Sequence, residues 1–196
     1  MKLYMTPGSC TTGIHILLEE LDLAFEAYVI NLPAGDHRKP EYLALNPKGT
    51  IPTLVRNDGS ALTSFQSIAY WLARTYPKAK LMPGDVEGDT KVIELMDYAV
   101  STIHGQGYTR IFTTSAYSTD EADHPAVQAR GREIVSEAFA IVDAQLPDGQ
   151  YAAGTFSIAD AALFYVEFWA DKINIPLPPN CKAHYQRMLA RPVVQR

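Results

Sequence analysis

Cys10 is the residue with the clearest capacity for chemistry, because it lies where a short apolar stretch gives way to small polar residues. Residues 2–12 read KLYMTPGSCTT, which predicts a strand, a tight turn at Pro7-Gly8 and the start of a helix. The first N–H groups of a helix lack intrahelical partners and carry the positive end of its dipole, so they stabilise an anion. A thiol at this position loses its proton more easily and becomes a better nucleophile. We therefore expect the pKa of Cys10 to be lowered.

Two hydroxyls flank this cysteine and compete with it. Ser9 and Thr11 each stand one residue from Cys10, and either can hydrogen-bond a thiolate in its place. Cysteine is also common as a small, inert core residue. The residue types alone therefore leave three alternatives open: a functional Cys10, a hydroxyl of Ser9 or Thr11 in its place, or an inert Cys10. The second cysteine, Cys181, is far along the chain, and with no secretion signal apparent we expect reduced thiols and no disulfide.

The composition excludes several classes of function. The chain has 196 residues, 47% of them hydrophobic and 20% charged, and a formal net charge of −5. This acidic balance argues against a duplex nucleic-acid binder, which favours a basic surface. No apolar stretch reaches about 18 residues, and Lys and Arg form no run, so neither a membrane span nor a membrane-surface patch is predicted. The five histidines show no close ligand spacing, so we expect no metal site. We expect a cytoplasmic protein.

The elements that must position Cys10 form an α/β unit over residues 1–77. A helix is predicted over residues 14–21 and an alternating strand over 25–30, which together with the first strand make a right-handed βαβ unit. After a turn-rich loop, the prolines of NPKGTIPTLV at 46–55 exclude a helix and lead into another strand. An Asn-Asp-Gly turn then predicts a hairpin, followed by a helix with Ser64 as its N-cap.

Residues 88–196 change to a helical period throughout, after a linker-like stretch over 77–88. Helices are predicted over 89–115, 125–146, 157–172 and 180–190. We expect Gly105 and Gly107 to bend or interrupt the first of them. In the second, the residues expected to face inward are Ile134, Ala138, Ile141, Val142 and Leu146. The serine and aspartate of SIAD at 157–160 form a capping box that starts the third helix.

This order of elements, together with five motifs, resembles the glutathione S-transferases, and the opening resembles the cysteine-bearing beta class of bacteria. The matching stretches are KLYMTPGSC at 2–10, NPKGTIPTL at 46–54, IAYWLA at 68–73, SIAD at 157–160 and ARP at 190–192. Each is weak alone, but together they span nearly the whole chain. The resemblance implies a thioredoxin-like N-terminal domain over 1–77 that binds glutathione. It also implies an all-helical C-terminal domain over 88–196 that supplies the second-substrate pocket, and a homodimer.

The resemblance also implies roles for individual residues. In beta-class relatives the matching cysteine lies beside the glutathione sulfur and can form a mixed disulfide with it or donate a hydrogen bond to its thiolate. The bond before the proline of Ile51-Pro52 is expected to be cis, so that the main chain of Ile51 pairs with a peptide-like ligand. The catalytic candidates are Cys10, Ser9 and His104, with Gln106 as the alternative to the histidine. The candidates for glutathione binding are Thr50, Ile51, Pro52, Ser64, Phe65 and Lys39. The candidates for the second-substrate pocket are Thr11, Tyr108, Ile111 and Phe112.

One motif departs from the family pattern. Where the family commonly reads Leu-Thr-Glu-Ser, this chain reads Leu62-Thr63-Ser64-Phe65, so the carboxylate that would pair with the γ-glutamyl ammonium is absent. A hydrogen bond to a charged group contributes about 1.5–3 kcal/mol, so its loss would weaken binding roughly ten- to hundred-fold. Gln66 is a partial substitute for the missing carboxylate.

Three functions are compatible with the resemblance. The first is a glutathione transferase that conjugates glutathione to small apolar electrophiles in bacterial detoxification. The second is a glutathione-dependent thiol-disulfide reductase or peroxidase in which Cys10 attacks a disulfide. The third, motivated by the missing glutamate, is a non-catalytic binding protein. Fold alone does not choose among them.

Overall fold

The computed structural model describes residues 1–147 and 149–195, and its N-terminal part is built on a four-stranded sheet. The strands are β1 Lys2–Met5, β2 Glu26–Val29, β3 Thr53–Val55 and β4 Ala61–Thr63. Their order is β2-β1-β3-β4, with β2 parallel to β1, while β3 is antiparallel to both β1 and β4. This arrangement confirms the predicted βαβ unit and the hairpin after it.

Helices cover the sheet and make up the rest of the chain. They are α1 Thr11–Glu20, α2 Pro40–Leu43, α3 Phe65–Thr75, α4 Val86–Asp97, α5 Thr109–Phe112, α6 His124–Gln145, α7 Ile158–Lys172 and α8 Pro179–Leu189. Short 3-10 turns occupy Asp36–Arg38, Pro77–Ala79, Thr114–Ala116 and Glu121–Asp123. A small sheet with helices, followed by an all-helical part, confirms the predicted fold class. The domain boundaries at 77 and 88 stay a prediction. In the part of the chain that the structure describes, no helix is long and apolar enough to cross a bilayer.

The helix that carries Cys10 at its N-terminus is pressed against α7. On the buried face of α1, Ile14, Leu17 and Leu18 are fully buried, as the predicted helical spacing requires. At Gly13 the backbone of α1 comes so close to its neighbours that a Cβ would lie 2.5 Å from the carbonyl oxygen of Ala161. Glycine is required here by the close approach of two helices.

We expect Gly13→Ala to lower the free energy of unfolding by about 2 kcal/mol. Alanine favours a helix interior by up to about 1 kcal/mol over glycine, but forcing atoms into a packed interior costs about 1–3 kcal/mol and here the obstacle is backbone. Urea denaturation measures the difference. The control is Gly105→Ala, whose Cβ would lie 3.3 Å from the Val100 carbonyl oxygen. Equal stability of the two variants would contradict this explanation.

The helix predicted over 89–115 is not interrupted at its glycines, so the expected interruption is wrong, and the expected bend stays a prediction. After α4 the chain continues as a wider π-helical segment, Tyr98–Tyr108, and then as α5. Gly107 lies against α6, where a Cβ on it would be 2.5 Å from Val135 Cγ2 and a Cβ on Gly131 would be 2.8 Å from the Gly107 carbonyl oxygen. The glycines therefore permit close packing of two helices.

One residue of α6 faces the opposite way from the prediction. Ile141 is 49% exposed, whereas Val135 and Phe139 are fully buried. The buried face of α6 is the one that packs on the π-helical segment and α5, and this face is rotated away from Ile141. The prediction for Ile141 is wrong because the sequence does not indicate which neighbour α6 packs against.

The α7 helix carries two carboxyl groups, those of Asp160 and Glu167, into the core. The predicted capping box is present, with the Asp160 carboxylate accepting from the N–H and the hydroxyl of Ser157 at 2.7 Å each. His184 of α8 lies between two carboxylates, with Nε2 3.0 Å from Asp160 and Nδ1 2.8 Å from Glu167. Although burial opposes the charged imidazolium, these two carboxylates raise the pKa of His184 to about 10. This cluster fastens α8 to α7.

Candidate active site

The turn that precedes Cys10 is fixed from the helical part of the chain. The Trp169 Nε1 on α7 donates to the carbonyl oxygen of Gly8 at 2.6 Å. Gly8 has a φ of +74°, a conformation that favours glycine. Sequence reasoning missed Trp169, because an almost wholly apolar helix shows no pattern that separates a site residue from a core residue.

The hydroxyls of Ser9 and Thr11 are engaged with each other. Thr11 is fully buried, and its hydroxyl donates to the Thr6 carbonyl at 3.0 Å. It must therefore accept from the Ser9 hydroxyl, 2.7 Å away. The Thr11 side chain is closed to solvent, and its place in the second-substrate pocket stays a prediction. Ser9 is half-buried, and its proton is already committed to Thr11.

Cys10 is a buried thiol whose pKa is raised, contrary to our expectation. Its side chain is almost fully buried, 7% of the residue being exposed, and Sγ donates to the carbonyl oxygen of Ile51 at 3.6 Å. Burial raises the pKa of Cys10 to about 12, although the N–H groups of Cys10 and Thr11 act in the opposite direction. Desolvation therefore outweighs the helix N-terminus. At neutral pH the group is a hydrogen-bond donor and not a thiolate. Neither Cys10 nor Cys181 forms a disulfide.

The peptide bond between Ile51 and Pro52 is cis, as predicted. Tyr42 and Asn46 hold the preceding residue, since both donate to the carbonyl oxygen of Thr50, at 2.6 and 2.8 Å. Among the described residues the N–H of Ile51 finds no protein acceptor, so a ligand can pair with it. Sequence reasoning missed both Tyr42 and Asn46. The position of Asn46 at the start of the NPKG stretch was the available signal.

The end of β4 differs from the predicted N-cap. Ser64 has a φ of +76°, and its side chain does not cap α3. Instead its hydroxyl lies 3.3 Å from Lys48 Nζ, which also donates to Thr63 Oγ1 at 2.9 Å. Phe65 is buried at 3% exposure, with its ring 5.3 Å from that of Tyr165, so only its main chain is available to a ligand.

Lys39 and Gln66, two candidates for contact with the tripeptide, each already interact with a carboxylate of the protein. Lys39 is on the surface with its Nζ 2.7 Å from Asp36, whose carboxylate raises the pKa of the lysine. Gln66 donates to Asp97 at 3.4 Å, so α3 and α4 meet close to the end of β4. Whether either residue contacts a ligand stays a prediction.

His104 is partly buried in the helical part, where it contacts two aromatic residues of α7. Its Nδ1 is 3.2 Å from the hydroxyl of Tyr165, and its ring packs edge-on against Trp169 at 4.8 Å. Burial lowers the pKa of His104 to about 4, so the imidazole is neutral at pH 7. Burial raises the pKa of Tyr165 well above its ordinary value, and the nearby Cys10 acts in the same direction. The histidine is therefore linked to the cysteine through a tyrosine that sequence reasoning did not identify. Gln106 is exposed.

The predicted second-substrate residues do not form one wall. Tyr108 is fully buried, and its hydroxyl donates to the Val166 carbonyl at 2.7 Å. Its assignment to the second-substrate pocket stays a prediction. Ile111 packs against α6 at Gly131. Phe112 is 49% exposed and stacks on Tyr108, with ring centroids 5.6 Å apart, so it alone of the three presents a large apolar surface.

Comparison with family models matches both parts of the chain. The model described as "Glutathione S-transferase, N-terminal domain" matches residues 8–75, and "Glutathione S-transferase, C-terminal domain" matches residues 125–187. Glutathione S-transferase GstA of Escherichia coli O157:H7 is 34% identical over 100% of this chain and 96% of its own length. Glutathione S-transferase GST-4.5 of Xanthomonas campestris pv. campestris is 33% identical over the same shares.

Solved structures give the same result. A glutathione transferase homologue from Sulfitobacter with bound glutathione is similar with a TM-score of 0.91 and 29% identity, over 99% of this chain and 94% of that one. The bacterial beta class glutathione S-transferase of Sphingomonas chungbukensis is similar with a TM-score of 0.83 and 28% identity, over 100% and 96%. Within residues 1–147 and 149–195, no three His, Cys, Asp or Glu side chains converge to hold a metal.

Proposed function

Because the chain belongs to the glutathione S-transferase family, we propose that it conjugates the sulfur of glutathione to small apolar electrophiles, with Cys10 as a neutral hydrogen-bond donor to that sulfur. The chain is a transferase, and glutathione is its co-substrate. The observation that carries the proposed mechanism is a buried thiol at the N-terminus of α1, whose Sγ donates to the carbonyl oxygen of Ile51 at 3.6 Å. A ligand paired with the main chain of Ile51 would place its own sulfur beside this thiol.

The proposed chemistry needs no base from the protein. The Cys10 S–H turns from the Ile51 carbonyl to the glutathione sulfur, and together with the positive end of the α1 dipole it stabilises a glutathione thiolate, whose proton is lost to water. The thiolate sulfur then forms a bond to the electrophilic carbon, and the leaving group departs with the electron pair of the broken bond. Because the neutral imidazole of His104 adds no charge to the site, we assign it a positioning role: it hydrogen-bonds the hydroxyl of Tyr165 and so orients this side chain.

The reductase alternative has less support. It needs Cys10 as a thiolate that attacks a disulfide, and thiolate character falls as pKa rises. Burial, which raises the pKa of Cys10 to about 12, leaves almost no thiolate at neutral pH. The alternative therefore depends on a ligand that lowers this pKa.

A homodimer, a cytoplasmic location and a role in bacterial detoxification are further proposals. Two large apolar side chains are exposed on neighbouring helices, Tyr70 of α3 at 46% and Ile93 of α4 at 40%. Burying such a surface between two copies is a common reason for exposure of this kind. Two free cysteines are compatible with a reducing compartment. The bacterial relatives support the assignment to bacteria.

Conjugation of 1-chloro-2,4-dinitrobenzene to glutathione, followed by absorbance, tests the proposed function. We expect saturable turnover above the uncatalysed rate, together with a rise in melting temperature when glutathione is added. Disulfide reduction without conjugation would favour the reductase instead. The absence of both turnover and a thermal shift would contradict the proposal.

A further inference from the structure

A cavity of about 380 Å³ lies beside α1, on the face of the helix that points away from Cys10. Thr12, His15 and Glu19 form its α1 wall, and their spacing of i, i+3 and i+7 places them on one helix face. Successive residues of a helix are rotated by about 100°, so Cys10 and Thr12 point to opposite sides. The volume lies in the range of about 300–1,000 Å³ that is usual for small-molecule sites. We call this space the α1 cavity, and it is separate from the candidate active site.

The rest of the α1 cavity has an apolar lining. Phe164 and Phe168 of α7 form the facing wall, with ring centroids 6.5 Å apart, and the segment after α8 contributes Val194 among others. Phe164 is 3% exposed and packed in the core, so this wall exists before any ligand binds. Burying the apolar surface of a ligand here is therefore favourable.

The charge at the rim of the cavity comes from a carboxylate. Glu19 Oε1 lies 3.5 Å from His15 Nε2, and the Glu19 side chain keeps 31% of its surface exposed. A carboxylate that accepts a hydrogen bond from an imidazole remains an anion. The described lining of the cavity includes no lysine or arginine. A positively charged ligand would therefore be attracted to this rim, and a negatively charged one repelled.

The aromatic wall favours the same sign of charge. Lys172 Nζ lies 5.1 Å from the centroid of the Phe168 ring, within the distance of a cation–π contact, and has its own counter-ion in Asp171 at 3.8 Å. The ring thus already attracts one ammonium. The formal net charge of the chain, −5, adds a long-range attraction for cations.

We propose that the α1 cavity binds small aromatic cations, with the flat ring system between α1 and α7 and the positive group beside Glu19. The apolar walls take up the ring system, and Glu19 is the residue that selects its charge. This site takes neither glutathione nor the electrophile, so the inference does not depend on the proposed function.

Three tricyclic probes of similar size test the preference for charge. At pH 8, 9-aminoacridine is a cation, acridine is neutral and acridine-9-carboxylate is an anion. Equilibrium dialysis against the full chain at low ionic strength should give at least fivefold tighter binding of the cation than of acridine, with the carboxylate weakest. Saturating glutathione should change the Kd of 9-aminoacridine by less than twofold. Absence of binding, equal binding of the three probes, or displacement of the cation by glutathione would overturn the inference.

Two variants test the position of the site. Glu19→Gln should weaken 9-aminoacridine at least fivefold and leave acridine unchanged, whereas the control Glu87→Gln, which removes the same charge from an exposed residue of α4, should change neither. Val194→Trp, which fills the cavity from a half-buried position, should weaken both probes at least fivefold, with circular dichroism as the check on folding. A preference for the cation that survives Glu19→Gln, or unchanged binding in a folded Val194→Trp, would contradict the inference. Conjugation activity should be the same in all three variants, so failure of this site and failure of the proposed function are distinguishable.

Discussion

Replacing Asp160 by asparagine is expected to lower the free energy of unfolding by about 3–5 kcal/mol, the largest effect of any single substitution considered. Removing one partner of a buried charge cluster leaves the other charges uncompensated, and losses of this size follow. The Asp160 carboxylate accepts from four donors. These are the N–H of Ala152 at 2.7 Å, the N–H and hydroxyl of Ser157 at 2.7 Å each, and His184 Nε2 at 3.0 Å. An amide nitrogen cannot accept, so at least one of its two sides loses its hydrogen bonds.

Urea denaturation of Asp160→Asn and of Asp171→Asn measures this effect. Asp171 lies at the end of the same helix, with its side chain 53% exposed, and its loss should change stability by less than about 0.5 kcal/mol. If Asp160→Asn does not fold, Ser157→Ala gives the capping contribution alone, about 1 kcal/mol. A loss below about 1 kcal/mol in Asp160→Asn would show that the cluster does not fasten α8 to α7.

Replacing Cys10 by alanine is expected to lower kcat/KM for the electrophile, measured at saturating glutathione and pH 7, roughly ten- to hundred-fold. A hydrogen bond to a charged group contributes about 1.5–3 kcal/mol, and each 1.36 kcal/mol corresponds to a tenfold change in rate. The same loss should raise the pKa of the bound glutathione thiol by about one to two units. The acid limb of the profile of kcat/KM against pH should therefore move to higher pH. At a pH above both limbs the variant should recover much of its rate.

Alkylation of the free protein distinguishes a donor thiol from a nucleophile. Because burial raises the pKa of Cys10 to about 12, iodoacetamide should modify it slowly between pH 7 and 9. Cys181, also buried and with a raised pKa, is the internal control. Rapid, selective alkylation of Cys10 at pH 7 would contradict the donor role and return the reductase to first place. An acid limb of the kcat/KM profile that lies at the same pH in Cys10→Ala and in the unsubstituted protein would also contradict the donor role.

The local patterns of the sequence predicted most of the fold. The order of strands and helices followed from apolar spacing, the hairpin from its turn residues, and the start of α7 from Ser157 and Asp160 three residues apart. The cis bond before Pro52 followed from the family motif. These features depend on residues close together in the chain, so a linear pattern contains the information.

The chemistry of the site was decided by the tertiary structure. Its position at a helix N-terminus predicted a lowered pKa for Cys10. Burial of the thiol in the core excludes water from it and raises this pKa instead. Tyr108 was predicted to line a pocket, but its hydroxyl donates to the carbonyl oxygen of Val166, 58 positions away, inside the core. His184 and Glu167 showed no motif, and their pairing exists only because α8 docks on α7. Sequence spacing determines which groups share an element, whereas desolvation and long-range partners, which set protonation and accessibility, arise only when the elements pack.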